Sequence, residues 1–266
     1  MQDISCVGQC STTVALPILS ACGLEACILP TALLSTHTGG FGKPAVVHFD
    51  GALTGIWHHW QENGITFDAI LVGYLGSLAA VKAAGEIIDR LLAPGGVAIV
   101  DPAMADNGKL YSGFDEDYVR AIGSLAGKAD IILPNVTEAA ILSGLPYQEN
   151  IDRNYVNQLL NELNHPCAVL TGVDFDEDST GIVLQEGTVQ HEYRHKRIGN
   201  GCHGTGDIFA AVFTGALMQG KNRLDAAKIA ADFTCRCIKN TVNAPAHWYG
   251  VKFEPLLPEL MEMPGR

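Results

Sequence analysis

Short apolar runs alternate with longer segments of helical periodicity along almost the whole chain of 266 residues. The apolar runs predict β-strands at 4–8, 26–33, 46–49, 69–74, 97–100, 131–133 and 168–170. The periodic segments predict helices at 14–22, 53–62, 78–92, 116–125, 138–142, 153–163, 206–218 and 224–239. Two adjacent runs, at 180–185 and 188–194, predict a β-hairpin. Pro17 is compatible with the first predicted helix only if it lies in the first turn.

A repeated order of strand and helix predicts parallel strands with helices on both faces of the sheet. The sequence therefore predicts an α/β fold with a central, mainly parallel sheet. Ligands of such sheets bind beyond the carboxyl ends of the strands. Because no linker, repeat or low-complexity segment interrupts the pattern, we expect a single domain over residues 1–266.

The charge balance excludes some classes of partner. The chain has 17 Lys and Arg against 29 Asp and Glu, a net charge of −12, and no block of five basic residues. Nucleic acids and anionic membranes bind concentrated positive charge, so we expect neither as a partner. A small anionic ligand stays compatible, because a metal ion and backbone N–H groups can bind it. The charged fraction, 17%, is below the usual value of about 25% and favours an oligomer that covers part of the surface.

The eight cysteines form no CxxC pair and have no zinc-finger spacing with histidines. We interpret them as small buried apolar side chains. The first residues lack a basic segment followed by a long apolar stretch, and no run of 18 apolar residues occurs. These features predict a protein of the reducing cytoplasm.

The segment GTGD at 204–207 precedes AAVFTGALM, which is apolar around its whole circumference like a buried helix. Gly204 and Gly206 allow a ligand to approach the backbone, Thr205 can cap the helix, and the first N–H groups can bind an anion. Asp207 has two interpretations. It either compensates the helix dipole, or acts as the general base for a hydroxyl that attacks a phosphoryl group.

A second group of candidates follows the strands predicted at 131–133 and 97–100. Asn135 and Glu138 have the spacing of a capping box, which alone explains both residues. Alternatively, Glu138 helps to hold hydrated Mg²⁺ beside phosphates, since Mg²⁺ is bound through one or two carboxylates and water. Asp101 supplies a second carboxylate at the same edge of the sheet. The residues alone leave both interpretations open.

Polar and aromatic residues also follow other predicted strands: Ser11, His37, Thr38 and Tyr74. Turn chemistry or partial burial explains each of them singly. Their places near strand ends make them candidates for ligand contact as well.

Seven segments in order resemble the pyridoxal kinase family of the ribokinase-like superfamily, over essentially the whole chain. They are VGQCSTTVALPILSACG, STHTGG, VGYLGS, VDPAMADNGKLY, ILPNVTEAAILSG, LTGVD and GTGDIFAAVFTG. The GTGD element marks the superfamily, and its combination with the other segments marks the family. The resemblance implies a ribokinase-like three-layer αβα sandwich. It also implies transfer of the γ-phosphoryl group of Mg·ATP to the 5′-hydroxymethyl group of pyridoxal, pyridoxamine or pyridoxine.

The resemblance also assigns roles to residues by position. It implies that Asp207 is the catalytic base and that the amides of Gly204, Thr205 and Gly206 form the anion hole. Around the nucleotide it places Asp101, Asn135, Glu138 and Thr171, with Asp101 and Glu138 as the ligands of Mg²⁺. Around the pyridine ring of the vitamer it places Ser11, His37, Thr38 and Tyr74.

Two departures from the family pattern stand out. Leu133 occupies the position where the family often has Thr before Pro-Asn, which removes one ligand for the monovalent cation, such as K⁺, that some relatives use. Ala103 and Ala105 lie in a segment that commonly reads DPVMGD.

The loop at 36–44 is a candidate lid that excludes water from the reaction.

Alternative functions stay open. A hydroxymethylpyrimidine kinase of thiamine synthesis shares the chemistry, and a sugar or nucleoside kinase shares the superfamily. A non-catalytic regulator that binds a vitamer or nucleotide is a third alternative, but binding alone gains nothing from the charge of Asp207 beside phosphates. The resemblance and the low charge content together favour a homodimer.

Overall fold

The structure, a computed structural model, describes residues 1–174, 176–199, 202–244 and 246–262. In chain order its strands are β1 (Gln2–Ser5), β2 (Pro30–Leu34), β3 (Val46–His48), β4 (Phe67–Val72), β5 (Leu92–Val100), β6 (Ala105–Asp106), β7 (Lys109–Leu110), β8 (Ile131–Ile132), β9 (Cys167–Asp174), β10 (Ser179–Glu186) and β11 (Val189–Lys196). Its α-helices are α1 (Thr12–Ala21), α2 (Asp50–Glu62), α3 (Leu78–Leu91), α4 (Glu116–Ala126), α5 (Val136–Ser143), α6 (Arg153–Leu163), α7 (Thr205–Met218), α8 (Arg223–Val242) and α9 (Leu257–Met261). The chain forms two compact units. Unit 1 comprises Met1–Asp50 and Ile198–Arg266, and unit 2 comprises Gly51–Arg197.

Unit 2 contains a six-stranded sheet of order β11-β10-β9-β8-β5-β4. Strands β4, β5, β8 and β9 are parallel, and β10 and β11 form the antiparallel hairpin at the edge. Both residues of β8 and the first four of β9 are buried apolar residues, as expected of parallel strands covered on both faces. Helix α3 packs on β4 and β5, and α5 packs on β9. The predicted α/β class, mainly parallel sheet and hairpin are confirmed.

Unit 1 has its own sheet of three strands, in which β1 and β2 are parallel and β2 and β3 antiparallel. Helix α7 packs against α1 and α8. Every residue from Ile208 to Ala216 is buried, which confirms the prediction of a helix that is apolar on all sides.

The prediction for Pro17 is wrong. Helix α1 begins at Thr12, so Pro17 lies beyond the first turn. A proline there removes one backbone hydrogen bond of the helix. The fully buried side chains of Val14 and Ile18 keep this segment packed as a helix despite that loss.

Two features of unit 2 differ from the predicted elements. Strand β5 begins at Leu92, earlier than predicted, and its pairing with β4 is irregular because the partner pairs Phe67–Leu92 and Ala69–Val97 leave extra residues in β5. The hairpin of β6 and β7 was not predicted, because strands of two residues are too short for an apolar period. Its turn, Asn107-Gly108, has positive φ at both residues, and an Asn-Gly pair is a strong hairpin signal.

All eight cysteines are free thiols, but the interpretation of all of them as buried is wrong. Cys22, Cys167 and Cys237 are buried, whereas Cys6 and Cys27 are exposed. These two lie in the connections next to β1 and β2.

Within the described ranges, no helix has the length and apolarity needed to cross a membrane. The single domain over 1–266 stays a prediction.

Candidate active site

Four adjacent parallel strands of unit 2 place candidate residues at their carboxyl ends. Tyr74 follows β4, Asp101 follows β5 and Asn135 follows β8. Thr171 lies in β9 at the level of Asn135, with which it forms an isolated bridge. Backbone bonds align the ends: the N–H of Asp101 donates to Val72 O at 2.8 Å, and that of Thr171 to Pro134 O at 2.9 Å. The prediction that Asp101 and Glu138 follow neighbouring strands at one edge of the sheet is confirmed by the parallel pairing of β5 and β8.

Asn135 and Glu138 form the capping box that begins α5. The Oδ1 atom of Asn135 accepts the N–H of Glu138 at 2.9 Å, and Glu138 Oε2 accepts the N–H of Asn135 at 2.9 Å. The capping interpretation of this pair is therefore confirmed. It does not by itself decide whether Glu138 also serves a metal ion, because each carboxylate oxygen has two lone pairs.

The same capping box anchors the hairpin of β6 and β7. Glu138 Oε1 accepts the N–H of Met104 at 3.1 Å, and Asn135 Nδ2 donates to Ala105 O at 2.8 Å. Glu138 is 2% exposed. Burial raises its pKa to about 8, although the N–H groups of Asn135 and Met104 oppose the rise. These bonds connect Met104 and Ala105 to the first turn of α5.

The donors of this edge fit a metal ion that keeps most of its water. Among the described residues, no group of three or more His, Cys, Asp or Glu side chains could hold a metal ion. Both oxygens of Glu138 already accept N–H groups. Mg²⁺ that keeps most of its water and binds through one or two carboxylates fits such a donor set. The assignment of Asp101 and Glu138 to Mg²⁺ stays a prediction.

Sequence reasoning missed an aromatic cluster beside Tyr74. The ring of Phe114 lies 5.6 Å from that of Tyr74 and stacks on Tyr118 at 3.8 Å between centroids. Phe114 lies with Tyr111 in the short connection between β7 and α4, where no periodicity marks either residue. The cluster fixes one side of the partly exposed Tyr74.

In unit 1 the start of α7 requires a glycine at position 204. Gly204 has φ +86°, and a Cβ atom there would lie 2.0 Å from the carbonyl oxygen of Gln9. Its own carbonyl accepts the N–H of Ile208 at 3.0 Å. Thr205 and Gly206 begin the helix and are partly or fully exposed. The first N–H groups of a helix lack intrahelical acceptors, so this end of α7 can bind an anion.

Asp207 is held by residues of other elements of unit 1. Its carboxylate accepts the backbone N–H of Ser11 and faces Gln2 Nε2 at 3.3 Å. Burial raises its pKa to about 7; the N–H of Ser11 opposes the rise, and the negative charge of Asp3 adds to it. A pKa near neutrality suits a general base more than a helix-capping carboxylate, whose pKa is lowered by the dipole.

Ser11 connects two carboxylates. It is 5% exposed, its hydroxyl donates to the carboxylate of Asp3, and its amide donates to that of Asp207. Its backbone has φ 54° and ψ −132°, a conformation that costs a non-glycine residue about 1–3 kcal/mol. Contact of Ser11 with a pyridine ring stays a prediction.

His37 has a defined tautomer. Its Nδ1 accepts the N–H of Gly39 at 3.0 Å, so Nε2 carries the hydrogen and donates to Tyr249 O at 2.6 Å. Burial lowers the pKa of His37, which keeps the ring neutral. Thr38, its neighbour, is exposed.

The candidate lid at 36–44 packs on a segment near the end of the chain, which sequence reasoning missed. The rings of Phe41 and Trp248 lie 4.7 Å apart, and those of His37 and Phe41 5.0 Å apart. The contact between Phe41 and Trp248 joins residues about two hundred positions apart in the sequence, so no local pattern predicts it.

Comparison with known proteins adds an independent line of evidence. The sequence model of the phosphomethylpyrimidine kinase family matches residues 19–251. A pyridoxine/pyridoxal/pyridoxamine kinase of Bordetella avium is 28% identical over 247 residues, which cover 88% of this chain and 81% of that protein. The crystal structure of pyridoxal kinase from Lactobacillus plantarum is 35% identical with a TM-score of 0.89, covering 98% and 94% of the two chains. A Bacteroides thetaiotaomicron protein assigned as a phosphomethylpyrimidine kinase, in a crystal form with pyridoxal, is 31% identical with a TM-score of 0.91, covering 99% and 96%.

Proposed function

Since the chain belongs to the phosphomethylpyrimidine kinase family, in which the pyridoxal kinases of the ribokinase-like superfamily fall, we propose that it phosphorylates a B6 vitamer. ATP supplies the γ-phosphoryl group, and the 5′-hydroxymethyl group of pyridoxal, pyridoxamine or pyridoxine accepts it. The observation that carries the proposal is Asp207, a carboxylate with a pKa raised to about 7 in the first turn of a glycine-started helix. A base of this kind is needed to take the proton of the attacking hydroxyl.

The roles of the residues of unit 1 follow from this chemistry. Asp207 takes the proton while the hydroxyl oxygen attacks the phosphorus in line. The N–H groups of Gly204, Thr205 and Gly206 neutralise the charge that develops on the phosphoryl oxygens. Ser11 and Thr38 contact the pyridine ring, and His37 lies near it. The hydrogen bonds of both ring nitrogens fix the orientation of the His37 ring, which supports a role in shaping the binding site of the pyridine ring.

For the residues of unit 2, the family resemblance supports roles toward the nucleotide, the metal ion and the ring. Asn135 and Thr171 bind the nucleotide, and Tyr74 contacts the ring. Asp101 and Glu138 would hold Mg²⁺, which when bound neutralises charge on the phosphates. Leu133 is 3% exposed and has no side-chain oxygen, which argues against a monovalent cation such as K⁺ at that position.

Hydroxymethylpyrimidine is the second candidate substrate, because the matching family model describes phosphomethylpyrimidine kinases. It requires the same base and the same phosphoryl donor. A non-catalytic regulator is disfavoured, because a negative charge beside phosphates weakens binding, whereas the proposed proton transfer needs a base there.

We also propose a homodimer that works in the cytoplasm. Leu33 of β2 and Val47 of β3 are cross-strand partners and are 37% and 57% exposed. Their neighbour Val46 is also exposed. A second copy of the chain would cover this apolar face. The eight free thiols suit the reducing cytoplasm.

A substrate panel tests the proposed function. ADP formation is measured with pyridoxal, pyridoxamine, pyridoxine and hydroxymethylpyrimidine as acceptors. We expect turnover with at least one B6 vitamer, well above the rate without acceptor. Turnover with hydroxymethylpyrimidine alone supports the second candidate. No ADP above background with any B6 vitamer would contradict the main proposal.

Replacement Glu138→Gln tests the metal assignment. We expect the Mg²⁺ concentration for half-maximal activity to rise by about tenfold, because an amide is a far weaker ligand of Mg²⁺ than a carboxylate. Asp115→Asn is the matched control, since Asp115 caps α4 by accepting the N–H of Tyr118 at 3.0 Å. This variant should leave the Mg²⁺ dependence unchanged. If the Mg²⁺ dependence of Glu138→Gln is also unchanged, Glu138 acts only in the capping box and does not bind Mg²⁺.

A further inference from the structure

Unit 1 buries a second carboxylate that neither the proposed function nor the resemblance uses. Asp3 lies in β1 and is 2% exposed. Its Oδ2 accepts the hydroxyl of Ser5 at 3.0 Å, and the hydroxyl of Ser11 donates to it too. Burying a carboxylate is costly, and hydroxyl donors offset only part of the cost. A purely structural position in β1 would be filled better by an apolar residue.

The two serines that bond Asp3 differ in what else they touch. Ser5 ends β1, whereas Ser11 precedes α1 and donates its backbone N–H to the carboxylate of Asp207. The backbone carbonyl oxygen of Ser11 also accepts the N–H groups of Val14 and Ala15, at 3.0 and 2.9 Å. Of the two serine bonds to Asp3, the one from Ser11 reaches a residue that also contacts the proposed base.

The backbone of Ser11 is in a conformation that it would not adopt alone. Its φ of 54° and ψ of −132° lie outside the regions that residues with a side chain prefer. The hydroxyl bond to Asp3 fixes the side chain of Ser11, and this opposes relaxation of the backbone. Such strained conformations persist where surrounding structure holds them, and they cluster at functional sites.

Resting on the proposed function, we propose that Asp3 is a positioning residue for Asp207. Its carboxylate holds the hydroxyl of Ser11, which keeps the amide of Ser11 directed at the Asp207 carboxylate. Gln2, the neighbour of Asp3 in β1, bonds the Oδ1 atom of Asp207 from the same strand. Strand β1 thus orients the base through two adjacent residues, one directly and one through Ser11.

Asp3 also acts on Asp207 through its charge. The titratable groups around the pair are Cys10, whose thiol pKa is raised by burial and by both carboxylates, and His37, which acts on the pKa of Asp3 electrostatically. Burial is the largest cause of the raised pKa of Asp207, and the negative charge of Asp3 raises it further. Removing this charge should therefore lower the pKa of Asp207 and make it a weaker base.

Replacement Asp3→Asn is the principal test, because Asn removes the charge and leaves one oxygen for the hydroxyls of Ser5 and Ser11, which weakens the hold on Ser11. We expect the acid limb of the kcat/KM profile to move down by about half a pH unit or more. We also expect kcat to fall several-fold with an unchanged KM for ATP. Ser5→Ala is the matched control, since it removes a donor to Asp3 that does not reach Asp207, and it should keep both the profile and kcat.

A measurement without substrate separates this inference from the proposed function. The carbon-13 shift of the Asp207 carboxyl is titrated by NMR in the wild type and in Asp3→Asn. We expect a lower pKa in the variant, whether or not any vitamer is turned over. An unchanged pKa of Asp207, or a wild-type kcat and pH profile, would overturn the positioning role. If Asp3→Asn does not fold, Ser11→Ala cuts the same connection, and an unchanged kcat in that variant overturns the proposal.

Discussion

Replacement Asp207→Asn is expected to lower kcat by about 10²–10⁴, the usual contribution of a general base, while ATP still binds. An amide keeps the shape of the carboxylate and can still accept the N–H of Ser11, but it cannot take a proton at neutral pH. Initial rates of ADP formation and calorimetric titration with ATP measure the two properties separately.

Helix α8 provides a matched control for this variant. Asp225 and Asp207 are each the third residue of their helices. Asp225 bonds only with the N-cap residue Asn222 in the contacts described, through its N–H at 2.8 Å and its Oδ2 at 2.8 Å. If both aspartates only compensate a helix dipole, their Asn variants should lose similar stability and neither should lose kcat. Near-normal turnover in Asp207→Asn would show that Asp207 is not the general base and serves only the helix terminus.

The same variant should change how stability depends on pH. Burial raises the pKa of Asp207 from 3.8 to about 7 in the folded protein. An acid whose folded pKa lies above its unfolded pKa is costly to ionise, so the folded state loses stability as the pH rises between about 4 and about 7. Asp207→Asn removes this loss. Its Tm relative to the wild type should therefore increase from pH 4 to pH 8, as differential scanning calorimetry can record.

Replacement Gly204→Ala is expected to have the second large effect. A Cβ atom at this position lies 2.0 Å from the carbonyl oxygen of Gln9, and the φ of +86° disfavours any residue with a side chain. The backbone must shift, which moves the first N–H groups of α7 away from the phosphoryl group. A displacement of about 1 Å in such a site costs about 10²-fold in kcat. Strain and overpacking together should lower the free energy of unfolding by about 2–4 kcal/mol.

Gly187→Ala separates the cost of the backbone conformation from the cost of the clash. Gly187 has φ +58° in the turn between β10 and β11, and a Cβ atom there meets nothing within 4 Å. This variant should lose only about 1 kcal/mol and keep full activity. Denaturant unfolding and kcat are measured for both variants. Equal stability losses and equal kcat values would contradict the proposed role of Gly204.

Local signals predicted the elements that frame the candidate site. The period of the apolar residues located α6 at 153–163, and the apolar circumference of residues 208–216 identified α7 as buried. The order of strands and helices alone predicts that three site residues lie near strand ends: Asp101, Asn135 and Thr171. Sequence reasoning missed Phe114 and Tyr249, which depend on contacts without a period or a recognised motif. It also missed the hairpin at 105–110, whose strands are too short for a period although its Asn107-Gly108 turn is a hairpin signal.

The sequence by itself determined the α/β class, the capping box of Asn135 and Glu138 and the glycine before α7, because each depends on residues a few positions apart. Only the tertiary structure decided the state of Asp207. Its carboxylate faces Gln2, 205 positions away, and the amide of Ser11, almost as far. The pKa of a carboxyl group depends on the burial and the charges that distant segments bring to it, and a linear pattern does not contain them. The sequence therefore shows that position 207 carries a carboxylate, while the fold of unit 1 gives that carboxylate the pKa of a base.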